Sequence, residues 1–154
     1  MKAYQRYLAL LLLFLCTLSL LACESEEKKS SSGEAPSASE DIHEEFLGGW
    51  YDPDRPRVYM TVAYENGDYN VRIRWNDSAF QVYEWRFTGR YEDDRLVSDL
   101  CSKVLITYTS ETTFTEDVIY QNGVAALYFN EDGKLCWQDS KENAGVDCRF
   151  QKNG

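Results

Sequence analysis

The chain has 154 residues, of which 26 are acidic and 16 are basic, so its net charge is −10 at pH 7. Because like charges repel, this balance excludes electrostatic binding to nucleic acid or to anionic membrane surfaces. Residues 43–154, which follow a polar stretch, are enough for one domain with one core and too few for two.

Residues 1–22 have the order of a secretory signal, in which the basic Lys2 and Arg6 precede an apolar run over residues 8–22. The alternative is an uncleaved membrane helix, but the run is short for a bilayer span, which takes ~20 apolar residues. Leu-Leu-Ala stands directly before Cys23. This ending resembles the lipobox of bacterial lipoproteins, which implies that Cys23 receives diacylglycerol and acyl chains such as palmitate and becomes the mature N-terminus.

The same resemblance predicts an extracytoplasmic protein that is held to a membrane only through the lipid on Cys23. Loss of residues 1–22 removes Lys2 and Arg6, so 14 basic residues remain against 26 acidic ones, a net charge of −12. Acyl chains can supply the attachment, since each buried CH₂ contributes ~0.8 kcal/mol. Glu24 is not the Asp that resembles an inner-membrane retention signal. We therefore expect the outer membrane in a two-membrane bacterium and the cell membrane in a one-membrane bacterium.

A tether is predicted between the lipid and the domain. Residues 24–41 read ESEEKKSSSGEAPSASED and contain no large apolar side chain. Such a segment cannot offset the entropy cost of ordering, and its Ser, Gly and Pro content is typical of a flexible spacer. We accordingly divide the chain into a signal at 1–22, the lipidated Cys and tether at 23–42, and a domain at 43–154.

The domain shows apolar residues at every second position, which is the pattern of half-buried β-strands. Predicted strands run over residues 58–64, 69–76, 83–91, 95–108, 114–120, 124–129, 135–139 and 146–150. We expect tight turns at Asn66-Gly67-Asp68, at residues 92–94 and at Asn122-Gly123. In the strand at 95–108 the alternation places Leu96 and Leu100 on one face, and it breaks near residues 101–103, which predicts a bulge there.

Eight or nine short strands with turns roughly every ten residues, and no stretch with sustained helical spacing, predict an all-β fold. We expect a small antiparallel up-and-down barrel, because closing a meander of eight strands hides the sheet edges. A β-sandwich is the alternative.

A second resemblance covers most of residues 46–152. It is carried by Gly49-Trp50, Trp75, Trp85, Gly89-Arg90-Tyr91, the run from Asp132 to Asp139 (DGKLCWQD), and Cys148-x-Phe150. These features resemble uncharacterised lipoproteins of Clostridia-type bacteria, and more distantly the calycin-type barrels of lipocalins and avidins. The resemblance implies a fold and no activity. The chain lacks a clear terminal helix and a recognisable set of biotin-contacting residues.

Catalysis finds little support in the sequence. His43 is the only histidine and lies at the tether boundary, and no Ser or Cys stands in a nucleophile motif. The acidic pairs fall in predicted turns, where carboxylates usually serve turn geometry and solubility. We therefore expect no enzyme, no cofactor and no metal site.

Three cysteines fall in the domain: Cys101, Cys136 and Cys148. Outside the cytoplasm this odd number allows at most one internal disulfide. A simple hairpin register sets Trp137 opposite Cys148, so Cys136 and Cys148 would point to opposite faces. Cys101 lies where alternation is lost, and the resembling lipoproteins carry cysteines at matching places. We predict a disulfide between Cys101 and Cys148.

Aromatic side chains predominate on the inward faces of the strands. They either fill the core or line a ligand cavity: Tyr69, Trp75, Tyr83, Trp85 and Trp137. The leading hypothesis is a binding module whose barrel mouth takes a small apolar or amphipathic ligand. The alternative is a protein-binding module of the cell envelope, such as an inhibitor of an exported hydrolase. An internal cavity favours the first hypothesis, and a solid aromatic core with a projecting apolar loop favours the second.

Overall fold

A computed structural model describes residues 42–153 of the chain. The predicted signal, the lipobox with Cys23 and the predicted tether as far as residue 41 lie outside these residues. The described part consists of a short 3₁₀ helix and eight strands. Their bounds are Glu44–Phe46 for the helix, then Gly48–Asp52 (β1), Arg55–Glu65 (β2), Asp68–Asn76 (β3), Gln81–Glu92 (β4), Arg95–Tyr108 (β5), Phe114–Phe129 (β6), Leu135–Asp139 (β7) and Gln151–Lys152 (β8).

Seven strands form an antiparallel meander in which each strand pairs with the next, and the short β8 pairs with β1. Phe150, just before β8, forms a single bridge to Leu135 of β7 and brings the two ends of the sheet together. The predicted all-β meander barrel is confirmed, and the sandwich is not formed. Leu135 opposite Phe150 also matches the predicted hairpin register, but no regular strand forms over residues 146–150.

Two of the predicted turns are confirmed with the expected backbone. Asn66 and Gly67 have φ angles of 57° and 91°, and Asp93 and Asp94 have φ angles of 49° and 61°. Two-residue hairpin turns with both central residues in the left-handed region match the right-handed twist of the flanking strands. The two turns therefore set the register of the β2–β3 pair and of the β4–β5 pair.

The predicted turn at Asn122-Gly123 is wrong, because β6 runs through both residues without interruption. Gly123 faces Cys101 of β5. A Cβ atom on Gly123 would lie 2.9 Å from the Tyr120 ring and 3.2 Å from the Cys101 carbonyl oxygen. The glycine is needed for close approach of two strands and not for a turn.

The predicted bulge in β5 is confirmed by register shifts between Ser98, Cys101, Lys103 and Val104. The shifts change which side chains face inward. Leu96 is buried, whereas Leu100 is 71% exposed, so the prediction that they share a face is wrong.

The predicted disulfide between Cys101 and Cys148 is not formed in the structure, where Cys101, Cys136 and Cys148 are all buried, free cysteines. Cys101 lies in mid-β5 with Asp139 among its charged neighbours. Cys148 lies in the segment after β7, near Asp52. Cys101 is thus held by its strand ladder and does not turn towards the closing segment, contrary to the expectation from its broken alternation.

Large side chains fill the middle of the barrel, and the 3₁₀ helix closes one end. Fully buried members of the core include Trp85, Trp137, Phe46, Phe150, Met60 and Ile73. Phe46 packs against Phe129 at 5.0 Å between ring centroids, and its carbonyl accepts a 2.9 Å hydrogen bond from the Trp50 indole. His43 stacks on Tyr91 at 3.3 Å. Tyr91 and Phe129 stand just before the β4–β5 and β6–β7 turns. The closed end of the barrel is therefore the end at which these turns and the β2–β3 turn lie.

Candidate functional site at the barrel mouth

The opposite end of the barrel holds a pocket. Connections in a meander alternate between the two ends, so the β3–β4 connection and the segment after β7 meet at this end, which we call the mouth. The pocket has a volume of about 300 Å³ and is lined by Trp75, Asp77, Tyr83, Trp85, Lys103, Glu142 and Ala144.

The strand register brings the aromatic walls together. Trp75 of β3 faces Tyr83 of β4, and Ile73 faces Trp85 two register positions further into the barrel. Since side chains two residues apart on a strand share a face, Tyr83 and Trp85 both point inward. Trp85 in turn faces Lys103 of β5.

Lys103 is a cation placed inside the barrel. Its side chain is 9% exposed and forms an ion pair with Glu142, whose side chain is 38% exposed. The ammonium also lies over two rings, 4.5 Å from the centroid of Tyr83 and 4.6 Å from that of Trp85. Both distances are within the range of cation–π attraction. Burial of the charge is compensated by one carboxylate and two aromatic faces.

The Trp85 ring is fixed from behind. Its indole N–H donates a 2.8 Å hydrogen bond to the Tyr120 hydroxyl. Trp137 packs edge-on against it, with 4.9 Å between the centroids and an interplanar angle of 69°. A ring held by a hydrogen bond and an aromatic neighbour presents a preformed wall to the pocket.

Asp139 connects this wall to the loop that carries Glu142. Burial raises the pKa of the Tyr120 hydroxyl far above its ordinary value, and a hydrogen bond to Asp139 raises this pKa further. The protonated hydroxyl therefore donates to Asp139 while it accepts from the Trp85 indole. The buried Asp139 also accepts hydrogen bonds of 3.1 Å from the backbone N–H groups of Lys141 and Glu142. These hydrogen bonds hold both the Trp85 wall and the loop that carries Glu142 in place at the mouth.

The structure places some of the predicted lining residues in the mouth pocket and others elsewhere in the barrel. Trp75, Tyr83 and Trp85 line the mouth pocket, and Trp137 lies behind Trp85. Tyr69 lies at the closed end, where its hydroxyl accepts a 2.8 Å hydrogen bond from the His43 backbone N–H.

Sequence reasoning missed the charged members of the pocket, Asp77, Lys103 and Glu142. The predicted bulge near residues 101–103 was the one signal for Lys103, because a bulge changes which face the following residues occupy. No sequence signal joined Lys103 to Glu142, which lies 39 residues further along the chain.

A second charged group lies on the outer face of the sheet. Glu84 is buried and approached by Arg72 at 3.4 Å, Arg74 at 3.2 Å and Arg86 at 2.5 Å. Arg86 also donates two hydrogen bonds to Glu116, and this contact lowers the pKa of the Glu116 carboxyl. The carboxylates are thus matched by guanidinium groups across β3, β4 and β6, which suits a role in sheet stability.

The first half of β6 is an exposed edge. Within residues 42–153, β7 pairs with β6 only over residues 125–129, so residues 114–124 have β5 as their single strand neighbour. Phe114, Val118 and Ile119 on this stretch are 51%, 55% and 47% exposed. Unpaired edges with apolar side chains can pair with an added strand.

The thiols are unsuited to nucleophilic chemistry. Burial raises the pKa of Cys101 to about 12 and that of Cys148 to about 11, and it also raises the pKa of Cys136. A cysteine nucleophile requires the thiolate, which these environments disfavour.

The described residues contain no group of three or more His, Cys, Asp or Glu side chains arranged to hold a metal ion. No helix within residues 42–153 is long and apolar enough to cross a membrane.

No protein-family model matches the chain, and searches of curated proteins and of solved structures found no significant match.

Proposed function

We propose that this chain is a lipid-anchored, extracytoplasmic binding module of the clostridial lipoprotein type whose barrel mouth holds a small amphipathic ligand. The observation that carries the proposal is the pocket itself, in which Trp75, Tyr83 and Trp85 stand around the buried Lys103 and its partner Glu142. Aromatic walls with a few placed polar groups are typical of small-molecule sites.

The filled interior sets the depth and size of the site. Trp85 and Trp137 pack against each other inside the barrel and are almost fully buried. The ligand therefore sits at the mouth and not deep in the lumen. A pocket of about 300 Å³ is at the lower end of the volumes of ligand sites, which favours a small molecule.

Native mass spectrometry of the chain purified from the bacterium that makes it tests this function. We expect a co-purifying small molecule on the wild type and on Tyr59→Leu, which removes an exposed outer aromatic ring. We expect its loss from Trp75→Leu, which removes a pocket wall. A molecule retained equally by both variants, or bound to neither variant nor wild type, contradicts the proposal.

A second candidate function is the binding of an envelope protein, such as an exported hydrolase, through the β6 edge. The solid aromatic core and the exposed Val118 and Ile119 favour it. An extended segment of a partner can add to a free sheet edge through backbone hydrogen bonds. Chemical cross-linking in the native envelope tests it: Ile119→Pro should abolish a cross-linked product that Tyr59→Leu retains. A product that survives Ile119→Pro contradicts this candidate.

A further inference from the structure

We propose that the mouth pocket binds a small organic cation, an alkylated ammonium group on a compact apolar body, and that this cation binds where the Lys103 ammonium lies in the structure. This inference rests on the proposed small-molecule function of the mouth and names the chemical class of its ligand.

The first support is the position of the Lys103 ammonium. It lies 4.5 Å and 4.6 Å from the centroids of Tyr83 and Trp85, so the two ring faces are already oriented towards a positive charge. Trp75 adds a third aromatic side chain to the same pocket. Aromatic cages of this kind recognise quaternary ammonium groups, because the negative face of each ring attracts the cation without requiring hydrogen bonds.

The second support is the charge balance of the pocket. The lining contains Glu142, whose carboxylate pairs with Lys103, and Asp77, whose backbone carbonyl accepts a 3.2 Å hydrogen bond from Arg57. A ligand cation that takes the place of the Lys103 ammonium keeps a positive charge beside the Glu142 carboxylate, whereas an anion would face that carboxylate unfavourably. The acidic chain as a whole also attracts cations, since its net charge is −10.

The third support is the fit between size and chemistry. A volume of about 300 Å³ accepts a trimethylammonium head with a short body. Because the lumen below is filled by Trp85 and Trp137, it leaves no path for a long acyl chain. An amphipathic ligand that matches the site thus carries its polar character as a cation and has a small apolar part.

Lys103 acts as an internal competitor in this arrangement. A ligand cation that takes the two ring faces must displace the ammonium, whose flexible four-carbon stem allows it to withdraw. Glu142 lies on the loop fixed by Asp139 and remains in place to pair with the ligand. Removal of the Lys103 charge should therefore strengthen ligand binding while weakening the resting structure of the mouth.

The experiment titrates the full-length protein in a nonionic detergent with choline and follows tryptophan fluorescence. The same titration with 3,3-dimethylbutan-1-ol, the uncharged carbon isostere of choline, isolates the contribution of the charge. The variants are Lys103→Met, which keeps the apolar stem, and Glu142→Gln. Lys152→Met is the matched control, because it removes an ammonium 5.4 Å from the Trp50 ring, on β8 and outside the pocket.

We expect choline to bind the wild type about fivefold more tightly than the isostere, and Lys103→Met to tighten choline binding by about fivefold. Lys152→Met should leave the affinity unchanged. Glu142→Gln changes an exposed side chain without altering a strand and should weaken choline binding, which keeps the test open if Lys103→Met does not fold.

Equal affinity for choline and the isostere overturns the cation inference but leaves a small-molecule site at the mouth. Absence of choline binding from both wild type and Lys103→Met also overturns the inference, and so does an unchanged affinity in Glu142→Gln. The proposed function fails separately, by loss of any pocket-dependent molecule in the native mass spectra.

Discussion

The indole N–H of Trp85 donates a 2.8 Å hydrogen bond to the hydroxyl of Tyr120, which joins β4 to β6 across the interior of the barrel. The Tyr120 hydroxyl in turn forms a hydrogen bond with the buried Asp139. Asp139 accepts hydrogen bonds from the backbone N–H groups of Lys141 and Glu142 in the loop after β7. One polar chain thus links a wall of the pocket to the segment that closes the sheet.

The first prediction concerns the hydroxyl in the middle of this chain. Tyr120→Phe should lower the free energy of unfolding by about 1–3 kcal/mol, because it leaves the Trp85 N–H unpaired and removes a donor from Asp139. Urea denaturation measures the change. Tyr59→Phe is the control, since it removes an exposed hydroxyl that donates to the Pro56 carbonyl, and it should cost less than about 0.5 kcal/mol. Equal losses of folding free energy in the two variants would show that the hydrogen bonds of Tyr120 do not stabilise the barrel.

The second prediction separates the tether from the core. Trp85→Ala should lower the free energy of unfolding by about 3–5 kcal/mol, because Trp85 is almost fully buried and its removal leaves a cavity. Deletion of residues 24–41 should leave the thermal unfolding midpoint of the remaining chain nearly unchanged, since this segment carries no large apolar side chain. Similar losses in both proteins would rule out this division of the chain.

The third prediction concerns the loop that carries Glu142. A Cβ atom on Gly145 would lie 2.5 Å from the Trp137 carbonyl oxygen and 2.5 Å from its ring. Gly145→Ala should therefore cost about 1–3 kcal/mol of folding free energy through overpacking. Gly89→Ala is the matched control, because the new methyl group meets Leu96 at an ordinary 3.5 Å, and it should change stability by less than about 1 kcal/mol. Chemical denaturation of both variants decides between these outcomes.

The parts of the fold that sequence alone predicted are those set by local chemistry. Asn66-Gly67 and the paired aspartates at 93–94 determine their own turns, and period-two alternation determines which face of β3 is buried. In β4 it determines which side chains face the core, but Val82 and Glu84 on the other face are buried as well. Asn122-Gly123 has the same turn composition, but the need for close approach to Cys101 overrides it. The tertiary contact therefore determines the role of that glycine, and the sequence contains no sign of it.

The sequence predicts the aromatic residues of the site but not its charged residues. Alternation placed Trp75, Tyr83 and Trp85 on one face, and the structure brings them to one pocket. The position of Lys103 depends on the number of register shifts in β5, and its pairing with Glu142 depends on the path of the loop after β7. Both are consequences of how the barrel closes, which period-two patterns do not encode.

The fourth prediction concerns the three thiols. All should resist iodoacetamide at about pH 8 in the folded protein and react once it is unfolded without reductant, because burial keeps them protonated. The pKa of Cys101 rises from 9.0 to about 12 on folding, so above pH 9 the unfolded state loses a proton that the folded state keeps. Stability therefore falls as the pH rises through this window. Cys101→Ala should show a smaller loss between pH 8 and pH 10.

The result that would contradict the fourth prediction is a single reactive cysteine in the unfolded, unreduced protein. Mass spectrometry of the alkylated peptides counts the labels. Two unlabelled cysteines at positions 101 and 148 would show that the disulfide expected from the sequence forms in the protein after all.

The last prediction concerns the anchor. If Cys23 receives diacylglycerol, Cys23→Ala should move the protein from the membrane fraction to the soluble fraction, because the thioether requires the thiol. A chain with 14 basic residues against 26 acidic ones after loss of residues 1–22 has no compensating attraction to an anionic surface. Cys16→Ala is the matched control, because residue 16 leaves with the signal, and it should partition like the wild type. Detergent phase separation with intact mass measurement checks both, and retention of Cys23→Ala in the membrane fraction would show that attachment does not depend on this cysteine.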